Sequence, residues 1–452
     1  MALAYTAGLC TLGCKVSQYE TEAIGEALEA AGFSLRPFSD RNDVYVINTC
    51  TVTAESDRKS RQMIRRAIRK NPGAVVIVAG CYSQSSPEEV LRIGGIGAVI
   101  GNADKLSVPS LALRLLESGE RGVNAVRPLS GASFEPMSIT RAPRTRAYIK
   151  IEDGCDCRCS YCAIPAARGP VRSRPAEDII REAELLSSKG TREIVLTGIE
   201  TASWGRDTGE GRLIELLEEL DRRGSCERIR LGSLTPEVML GDFPERVSRL
   251  RSVARHFHLS LQSGSDRILA AMRRRYNTRM VREAVSRLRS LIPEVMFTAD
   301  VMVGFPGEGE AEELETLRFA EEIRFLDMHV FAYSRRAGTE ACSLPGQVPE
   351  PLKHERSARL IALKNSIRDE MLAEIVNKNI QLSVIFETCE NGIWTGHSDN
   401  FIEVRSRCGR DVHGEMLTVA PVSCSDGAVN GRIVFPDPEP RSGLSGSRLE
   451  NT

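Results

Sequence analysis

Short apolar runs alternate with amphipathic stretches over the first 125 residues of the chain. The apolar runs predict strands over residues 4–12, 44–48 and 74–79. Helical patterns follow the first two runs, over residues 17–31 and in a stretch that ends at Lys70. Strands and helices that alternate at a spacing of about 30 residues are typical of βαβ units. The pattern therefore predicts a parallel sheet covered by helices.

The same alternation resumes at residue 147, after a segment rich in Pro, Ser and Arg. Apolar runs predict six strands, over residues 147–151, 193–196, 228–231, 256–261, 296–303 and 328–331. Helical patterns separate most of them, for example over residues 176–188 and 279–291. Six such units indicate a full or partial β/α barrel, whose active site would lie at the C-terminal ends of the strands.

The last part of the chain changes texture again. A charged helix is predicted over residues 351–378, followed by short alternating strands with turn signals that predict a small β-barrel. The predicted divisions are an N-terminal domain (1–125), a linker (126–146), a barrel domain with its trailing helix (147–378), a C-terminal β-barrel (379–437) and a disordered tail (438–452).

Composition narrows the class of protein. The 452 residues contain no apolar run long enough to span a membrane, and no basic residue precedes Lys15 as a signal peptide would require. With 60 basic and 61 acidic residues, the net charge is −1, which does not indicate any class of binding partner. The chain has 13 cysteines in tight local clusters. An odd number without a secretion signal favours metal or redox chemistry in the cytoplasm over a disulfide scaffold.

Three of these cysteines share one short loop. Cys155, Cys159 and Cys162 have the spacing C-x3-C-x2-C; we call them the barrel cysteine set. Three thiolates can each bind one iron of a [4Fe–4S] cluster, which leaves the fourth iron open for S-adenosylmethionine. A zinc site with Cys157 as the fourth ligand is the alternative.

Three more cysteines each follow a predicted strand of the N-terminal domain. We call Cys14, Cys50 and Cys81 the N-terminal cysteine set. Because the C-terminal ends of parallel strands share one edge of a sheet, we expect these thiols to converge and to hold a second cluster with an open iron. Three unrelated buried thiols are the alternative.

The barrel cysteine loop and three later segments resemble the radical S-adenosylmethionine superfamily. The later segments are residues 197–200, 260–266 and 300–308, each read as the end of a barrel strand. The resemblance implies that S-adenosylmethionine is bound near Tyr161, Glu200, Gln262, Ser263 and Asp300.

Two three-cysteine sets on successive α/β domains resemble the methylthiotransferases, over nearly the whole chain to about residue 435. The resemblance implies a flavodoxin-like N-terminal domain, a radical S-adenosylmethionine barrel and an RNA-binding β-barrel of the TRAM type. Residues 12–21 and 48–53 are most similar to the branch that acts on N6-threonylcarbamoyladenosine at position 37 of tRNA. Ser17 departs from that branch, which commonly has asparagine there, and Cys157 adds a thiol to the cluster loop.

The family chemistry converts a C–H bond of the base into C–S–CH3. The resemblance implies that the cluster on the barrel cysteine set cleaves one S-adenosylmethionine to form a radical. The cluster on the N-terminal cysteine set holds a sulfur atom, which a second S-adenosylmethionine methylates. The implied partners are the tRNA anticodon loop with adenosine 37 and an electron donor such as flavodoxin or ferredoxin; no membrane partner is expected.

Basic side chains are the expected RNA contacts. Arg58, Arg61, Arg65 and Arg69 recur at helical spacing just after the Cys50 loop, where a plain solvated face is the alternative. Arg172 and Arg174 are further candidates within residues 168–174, as are residues 273–275 and 335–336. Residues 379–437 hold four Arg, no Lys and eight acidic residues, which predicts weak phosphate binding by the C-terminal barrel.

Other readings of the sequence stay open at this point. Within the enzyme class, the substrate is alternatively isopentenyladenosine in tRNA or an aspartate of a ribosomal protein. Outside it, the chain is an iron–sulfur electron carrier or a zinc-containing RNA-binding protein. Three cofactor-type turns at barrel strand ends argue against the carrier, and the size of the barrel argues against the RNA-binding module.

Overall fold

A computed structural model describes residues 5–435 of the chain. The predicted disordered tail, residues 438–452, lies outside the described residues. The strands of the N-terminal domain are β1 (Thr6–Thr11), β2 (Ser34–Leu35), β3 (Val44–Thr49), β4 (Val75–Gly80), β5 (Ala98–Val99) and β6 (Val123–Asn124). Its helices are α1 (Lys15–Ala30), α2 (Ala54–Lys70), α3 (Cys81–Ser85), α4 (Pro87–Leu91) and α5 (Val108–Ser118).

The six strands of this domain form one parallel sheet in the order β2-β1-β3-β4-β5-β6. This continues the flavodoxin-like order 2-1-3-4-5. Strands β3 and β4 are buried along their whole length, as expected for continuous β-branched runs covered on both faces. Helices α1 and α5 pack on one face, and α2 with α4 packs on the other. The predicted parallel α/β domain is confirmed.

The middle domain begins after the linker. Its strands are β7 (Arg146–Lys150), β8 (Glu152–Asp153), β9 (Arg172–Ser173), β10 (Glu193–Thr197), β11 (Arg228–Leu231), β12 (Ser233–Leu234), β13 (His256–Gln262), β14 (Met296–Val303) and β15 (Asp327–Ala332). Its helices are α6 (Ile164–Arg168), α7 (Ala176–Ser188), α8 (Leu213–Arg223), α9 (Phe243–Val247), α10 (Asp266–Ala271), α11 (Thr278–Leu291) and α12 (Glu310–Ile323).

These strands form a partial barrel. One parallel sheet has the order β11-β10-β7, and a second has the order β12-β13-β14-β15. Gly232 alone separates β11 from β12, so the chain passes directly from one sheet to the other. Within residues 5–435 no ladder joins β15 to β7, which leaves the barrel open on that side.

The C-terminal domain is a closed five-stranded barrel. It consists of α13 (Glu350–Asn377), β16 (Leu382–Glu390), β17 (Ile393–Ser398), β18 (Glu403–Arg407), β19 (Met416–Ser425) and β20 (Ala428–Val434). The strand order is β16-β17-β18-β20-β19, and β19 pairs with β16 to close the barrel. Helix α13 places Ile367, Met371 and Leu372 in the core of this barrel. No helix in residues 5–435 is long and apolar enough to cross a membrane.

Candidate active site

The structure brings the N-terminal cysteine set to one edge of the first sheet. Cys14 caps the N-terminus of α1, Cys50 follows β3, and Cys81 begins α3 after β4. Strands β1, β3 and β4 are neighbours, so the three loops meet. A Cβ atom added to Gly13 would stand 3.4 Å from the Cβ atom of Cys50. The convergence expected from the strand order is therefore present.

Gly80 makes the approach of two of these cysteines possible. It has φ +98°, and a Cβ atom added there would lie 2.5 Å from the carbonyl oxygen of Thr49. Only glycine accommodates both the backbone angle and the contact. The end of β4 thus lies against the end of β3, with Cys81 beside Cys50.

The three thiols of this set have different surroundings. Cys14 is exposed, whereas Cys50 is half-buried and Cys81 is buried. Burial raises the pKa of Cys50 to about 11. The sulfur of Cys81 accepts hydrogen bonds from Nδ2 of Asn102 at 3.4 Å and from Nε of Arg168 at 3.3 Å.

Each sulfur of the barrel cysteine set also accepts a hydrogen bond. Cys155 accepts from the backbone N–H of Cys157 at 3.4 Å, and Cys162 accepts from the backbone N–H of Ile164 at 3.4 Å. Cys159 accepts from Nη1 of Arg274 at 3.3 Å. Hydrogen bonds to the sulfurs are a general feature of iron–sulfur ligands. The donor set and its surroundings fit a [4Fe–4S] cluster.

Cys157 lies beside Cys155 in the same loop. A hydrogen bond with the Cys155 thiol and the guanidinium groups of Arg275 and Arg274 lower the pKa of Cys157 to about 6. Within residues 5–435, no three Cys, His, Asp or Glu side chains are gathered tightly enough to hold a single metal ion. In a [4Fe–4S] cluster each thiolate binds a different iron, so its ligands need not surround one point. All 13 cysteines are free thiols.

Gln262 has the surroundings expected of a ligand-binding side chain. It ends β13 with φ +68°, and its buried Oε1 atom has no hydrogen-bond partner among the described residues. Tyr161 packs edge-on against Phe305, with ring centroids 6.5 Å apart. These groups fit S-adenosylmethionine at the C-terminal strand ends. Ser263 differs, because its buried hydroxyl accepts from the backbone N–H of Ser265 and lies 3.4 Å from the hydroxyl of Thr316.

Two carboxyl groups, the half-buried Glu200 and the buried Glu152, lie close to the barrel cysteine set. Burial, with the nearby Cys157 thiolate, raises the pKa of Glu200 to about 7. The backbone N–H of Glu200 donates to Oε1 of Glu152, and burial raises the pKa of Glu152 well above its ordinary value. Glu152 is not among the predicted site residues; its place at the end of the first barrel strand is the one signal of it in the sequence.

Asp300 is corrected in position. It is the fifth residue of β14, and the strand continues to Val303 before the Gly-rich turn begins. Asp300 pairs with His258 and His329, both at 3.2 Å. Burial acts to raise the pKa of Asp300, but hydrogen bonds from both imidazoles hold it below its ordinary value.

The predicted RNA-binding arginines divide into two groups. Arg58, Arg65 and Arg69 are exposed on the outer face of α2, while Nη1 of Arg61 donates to the hydroxyl of Tyr82 at 3.0 Å. Arg172 and Arg174 are wrong as RNA contacts, because they are buried against carboxylates: Arg172 against Asp153, and Arg174 against Glu182.

Among the other arginines that the sequence suggested, Arg273, Arg275 and Arg335 are exposed, whereas Arg168, Arg274 and Arg336 are buried or half-buried. Arg168 is buried and Arg274 binds a cysteine sulfur, so neither is available to phosphate. Arg336 pairs with Asp57 of α2 at 2.6 Å and joins the barrel domain to the N-terminal domain.

A buried ionic network joins the N-terminal and barrel domains. Glu20 of α1 binds Arg168 at 2.7 Å, Lys150 at 2.9 Å and also Lys105. Asp153 binds Arg168 at 3.1 Å and Lys150 at 2.6 Å. In the sequence Glu20 stands out only as part of a family-like segment. This role has no local signal, because its partners lie 85 to 148 residues away.

Lys15 is the first residue of α1, next to Cys14. Its side chain is reached by solvent yet lies among barrel residues. Its pKa is lowered by loss of water and by the nearby guanidinium groups of Arg230 and Arg146, with Asp300 opposing them. No carboxylate in residues 5–435 lies within ion-pair distance of Lys15, so its charge is free to meet a ligand.

Comparison with known proteins places these features in families. Residues 149–320 match the Radical SAM superfamily, and residues 6–101 match the uncharacterized protein family UPF0004. A radical S-adenosylmethionine methyltransferase, TsrM, from Kitasatospora setae was solved with cobalamin and a [4Fe–4S] cluster. It superposes with a TM-score of 0.56 at 16% identity, over 75% of this chain and 77% of that chain. This likeness shows a shared fold.

Closer relatives cover almost the whole chain. A Bacillus subtilis protein named threonylcarbamoyladenosine tRNA methylthiotransferase MtaB is 40% identical, over 92% of this chain and 93% of its own. A Carboxydothermus hydrogenoformans protein named tRNA-2-methylthio-N(6)-dimethylallyladenosine synthase is 34% identical, over 82% and 84%. S-adenosylmethionine and [4Fe–4S] clusters are cofactors of such enzymes. The chain belongs to the methylthiotransferase family of radical S-adenosylmethionine enzymes.

Proposed function

We propose that this enzyme adds a methylthio group to carbon 2 of N6-threonylcarbamoyladenosine at position 37 of tRNA. In this proposal the N-terminal and barrel cysteine sets each hold one [4Fe–4S] cluster. Relatives named for this activity are 40%, 36% and 34% identical to the chain. The second candidate is dimethylallyladenosine in tRNA, for which a relative at 34% identity is named.

One observation carries the proposal: a short chain of contacts links the two cysteine sets. Arg168 donates hydrogen bonds to the sulfur of Cys81 and to the carboxylate of Asp153. Asp153 also accepts a hydrogen bond from the backbone N–H of Gly154 at 2.8 Å. Gly154 immediately precedes Cys155. Both sets therefore lie at one interface between the two domains, where a single substrate carbon can be served by both.

The chain's own side chains hold and orient the reactants in this arrangement. Gln262 offers its free Oε1 atom to S-adenosylmethionine, and Tyr161 with Phe305 offers an apolar wall. When bound, S-adenosylmethionine and its cluster supply the radical chemistry that breaks an unactivated C–H bond. Five of the six proposed ligand thiols are half-buried or buried, which limits their contact with bulk water.

Lys15 supports the choice of base. The threonylcarbamoyl group carries a carboxylate, whereas a dimethylallyl group is apolar. The ammonium of Lys15 lies beside Cys14 and has Arg230 and Arg146 as further positive neighbours. The Lys15 ammonium can therefore donate a charge-assisted hydrogen bond to the threonyl carboxylate. Adenosine 37 lies in a single-stranded loop, so it can enter the interface without breaking a helix.

The proposed reaction also implies a cellular location and an electron donor. Its tRNA substrate implies a cytoplasmic location, and reduction of a cluster requires a one-electron donor such as flavodoxin or ferredoxin. These partners follow from the chemistry of the reaction.

Mass spectrometry of tRNA nucleosides tests the substrate. A strain from which this gene is deleted should lose 2-methylthio-N6-threonylcarbamoyladenosine and accumulate the unmethylthiolated base. The wild-type gene should restore the product, whereas a Cys81→Ala gene should not. Persistence of the product, in a strain without a second such gene, would contradict the proposal. Loss of 2-methylthio-dimethylallyladenosine instead would support the second candidate.

A further inference from the structure

Arg168 belongs to the barrel domain and donates a hydrogen bond to a cysteine of the N-terminal domain. It is the last residue of α6, six positions after Cys162, and its Nε–H donates to the sulfur of Cys81 at 3.3 Å. The side chain is completely buried. Only when the two domains are docked does this hydrogen bond exist.

The rest of the guanidinium group is already occupied by carboxylates. Nη1 bonds to Glu20 of the N-terminal domain at 2.7 Å and to Asp153 of the barrel domain at 3.1 Å, and Nη2 bonds to Glu20 at 3.3 Å. A planar guanidinium held at both ends cannot rotate away. Its Nε–H is thereby aimed at Cys81, and the direction of this donor is fixed by residues outside the cysteine loop.

Several buried charged groups surround this contact. The buried cations are Lys105, Lys150, Arg168 and Arg172. The carboxylates beside them are Glu20, Asp153 and Glu135, the last of which acts on Lys105 and Lys150 at longer range. The sulfur of Cys81 is in direct hydrogen-bond contact with this network through Arg168.

We propose that Arg168 is a positioning residue that orients Cys81 and raises the reduction potential of the cluster held by the N-terminal cysteine set. A positive charge and a hydrogen bond at a ligand sulfur stabilise the reduced, more negative state of a cluster. The inference rests on the proposed assignment of Cys14, Cys50 and Cys81 as ligands. It does not depend on which base of tRNA is modified.

A redox titration followed by electron paramagnetic resonance tests this role. The background is the full chain with Cys155→Ala, Cys159→Ala and Cys162→Ala, in which only the N-terminal set can hold a cluster. Adding Arg168→Gln should reduce the one-electron reduction equilibrium constant about tenfold, a fall of about 59 mV in midpoint potential. Adding Arg274→Gln instead is the matched control. It removes the arginine that contacts Cys159 in the wild-type protein, and it should leave this potential unchanged.

The outcomes separate this inference from the proposed function. An unchanged potential in Arg168→Gln overturns the inference and leaves the methylthiotransferase proposal intact. If the background protein binds no [4Fe–4S] cluster, Cys81 is not a ligand, and both the assignment and the inference are wrong. Should Arg168→Gln lose its iron, Arg168→Lys decides: a smaller fall in potential supports the inference, and no change overturns it.

Discussion

Lys15 and Gln262 are side chains whose polar groups are left without a protein partner. The Oε1 atom of Gln262 is buried and accepts no hydrogen bond from residues 5–435, whereas Lys15 is exposed and forms no ion pair within those residues. A buried polar group without a partner costs about 1–3 kcal/mol. Such a cost is regained when a ligand supplies the partner, so Gln262 marks where S-adenosylmethionine is proposed to bind. The exposed ammonium of Lys15 is proposed to meet the base.

Lys15→Gln tests the role of the single charge. Removing a charge-assisted hydrogen bond costs about 1.5–3 kcal/mol, which lowers kcat/KM by roughly 10- to 150-fold. We expect this loss for tRNA that carries threonylcarbamoyladenosine, measured as product formed by the reconstituted enzyme. Lys15→Arg keeps the positive charge and should retain most activity.

Iron content and cleavage of S-adenosylmethionine without tRNA serve as the controls for Lys15→Gln. Both should match the wild-type protein. A variant that also loses iron would show that Lys15 supports the Cys14 loop, and the specificity argument would then be wrong.

Helix α2 shows how an element combines a structural face with an exposed basic face. Thr53 caps its N-terminus by accepting from the backbone N–H of Ser56 at 3.1 Å. Ile64 and Ala67 pack on the sheet, while Arg65 and Arg69 point to solvent. Arg61 is held between Tyr82 and Glu89, so it is less free to meet phosphate. The helix begins just after Cys50, and Arg65 and Arg69 lie about three and four turns further along it, towards its C-terminus.

A double variant, Arg65→Ala with Arg69→Ala, tests the basic face of α2. We expect weaker tRNA binding and a shallower salt dependence, with the slope of log K against log salt falling by roughly 0.7–0.9 for each lost phosphate contact. Filter binding between about 50 and 200 mM salt gives the slope. Arg114→Ala is the control, because Arg114 is exposed on α5 at the opposite face of the same sheet. Equal slopes for all three proteins would identify the arginines as an ordinary solvated surface.

The whole molecule is held together by ionic contacts at both domain interfaces. At the N-terminal ends of the barrel strands, buried Glu193 binds Arg146 at 2.9 Å and Arg230 at 2.8 Å. Arg230 also donates to the carbonyl oxygen of Ser398 in the C-terminal barrel at 3.0 Å. Phe401 stacks on His256, with ring centroids 4.6 Å apart. The C-terminal barrel therefore covers the N-terminal ends of the middle barrel's strands.

Phe401→Ala tests this docking. Removing a packed phenylalanine costs about 3 kcal/mol, so the C-terminal barrel should unfold at lower urea concentration. The fluorescence of Trp394, recorded in a Trp204→Phe background, reports that domain specifically because the chain has two tryptophans. Phe435→Ala is the control, since Phe435 is 47% exposed. Identical urea midpoints for the two variants would show that Phe401 does not hold the domains together.

Local patterns were sufficient for the longer elements and for the grouping of the two cysteine sets, but not for the two-residue strands β2, β5, β6 and β12. The strands at Arg228–Leu231 and Met296–Val303 and the helix at Ala176–Ser188 have the bounds that the sequence predicts. Hydrophobic periodicity reports which face of an element is buried, and the place of Cys14, Cys50 and Cys81 after successive strands follows from sheet topology. A bend such as Gly232, which divides one strand between two sheets, has no comparable signal.

The sequence by itself determined the domain order, the elements and the cysteine sets, because these depend on neighbours within a few turns or on strand order. Only the tertiary structure decided the roles of the charged residues. Arg168, Arg172 and Arg174 look like an RNA-binding stretch in the sequence, yet all three are buried against carboxylates. The charge of an arginine is written in the sequence, but whether it meets phosphate, carboxylate or a cysteine sulfur depends on partners that are distant in the chain and adjacent only after folding.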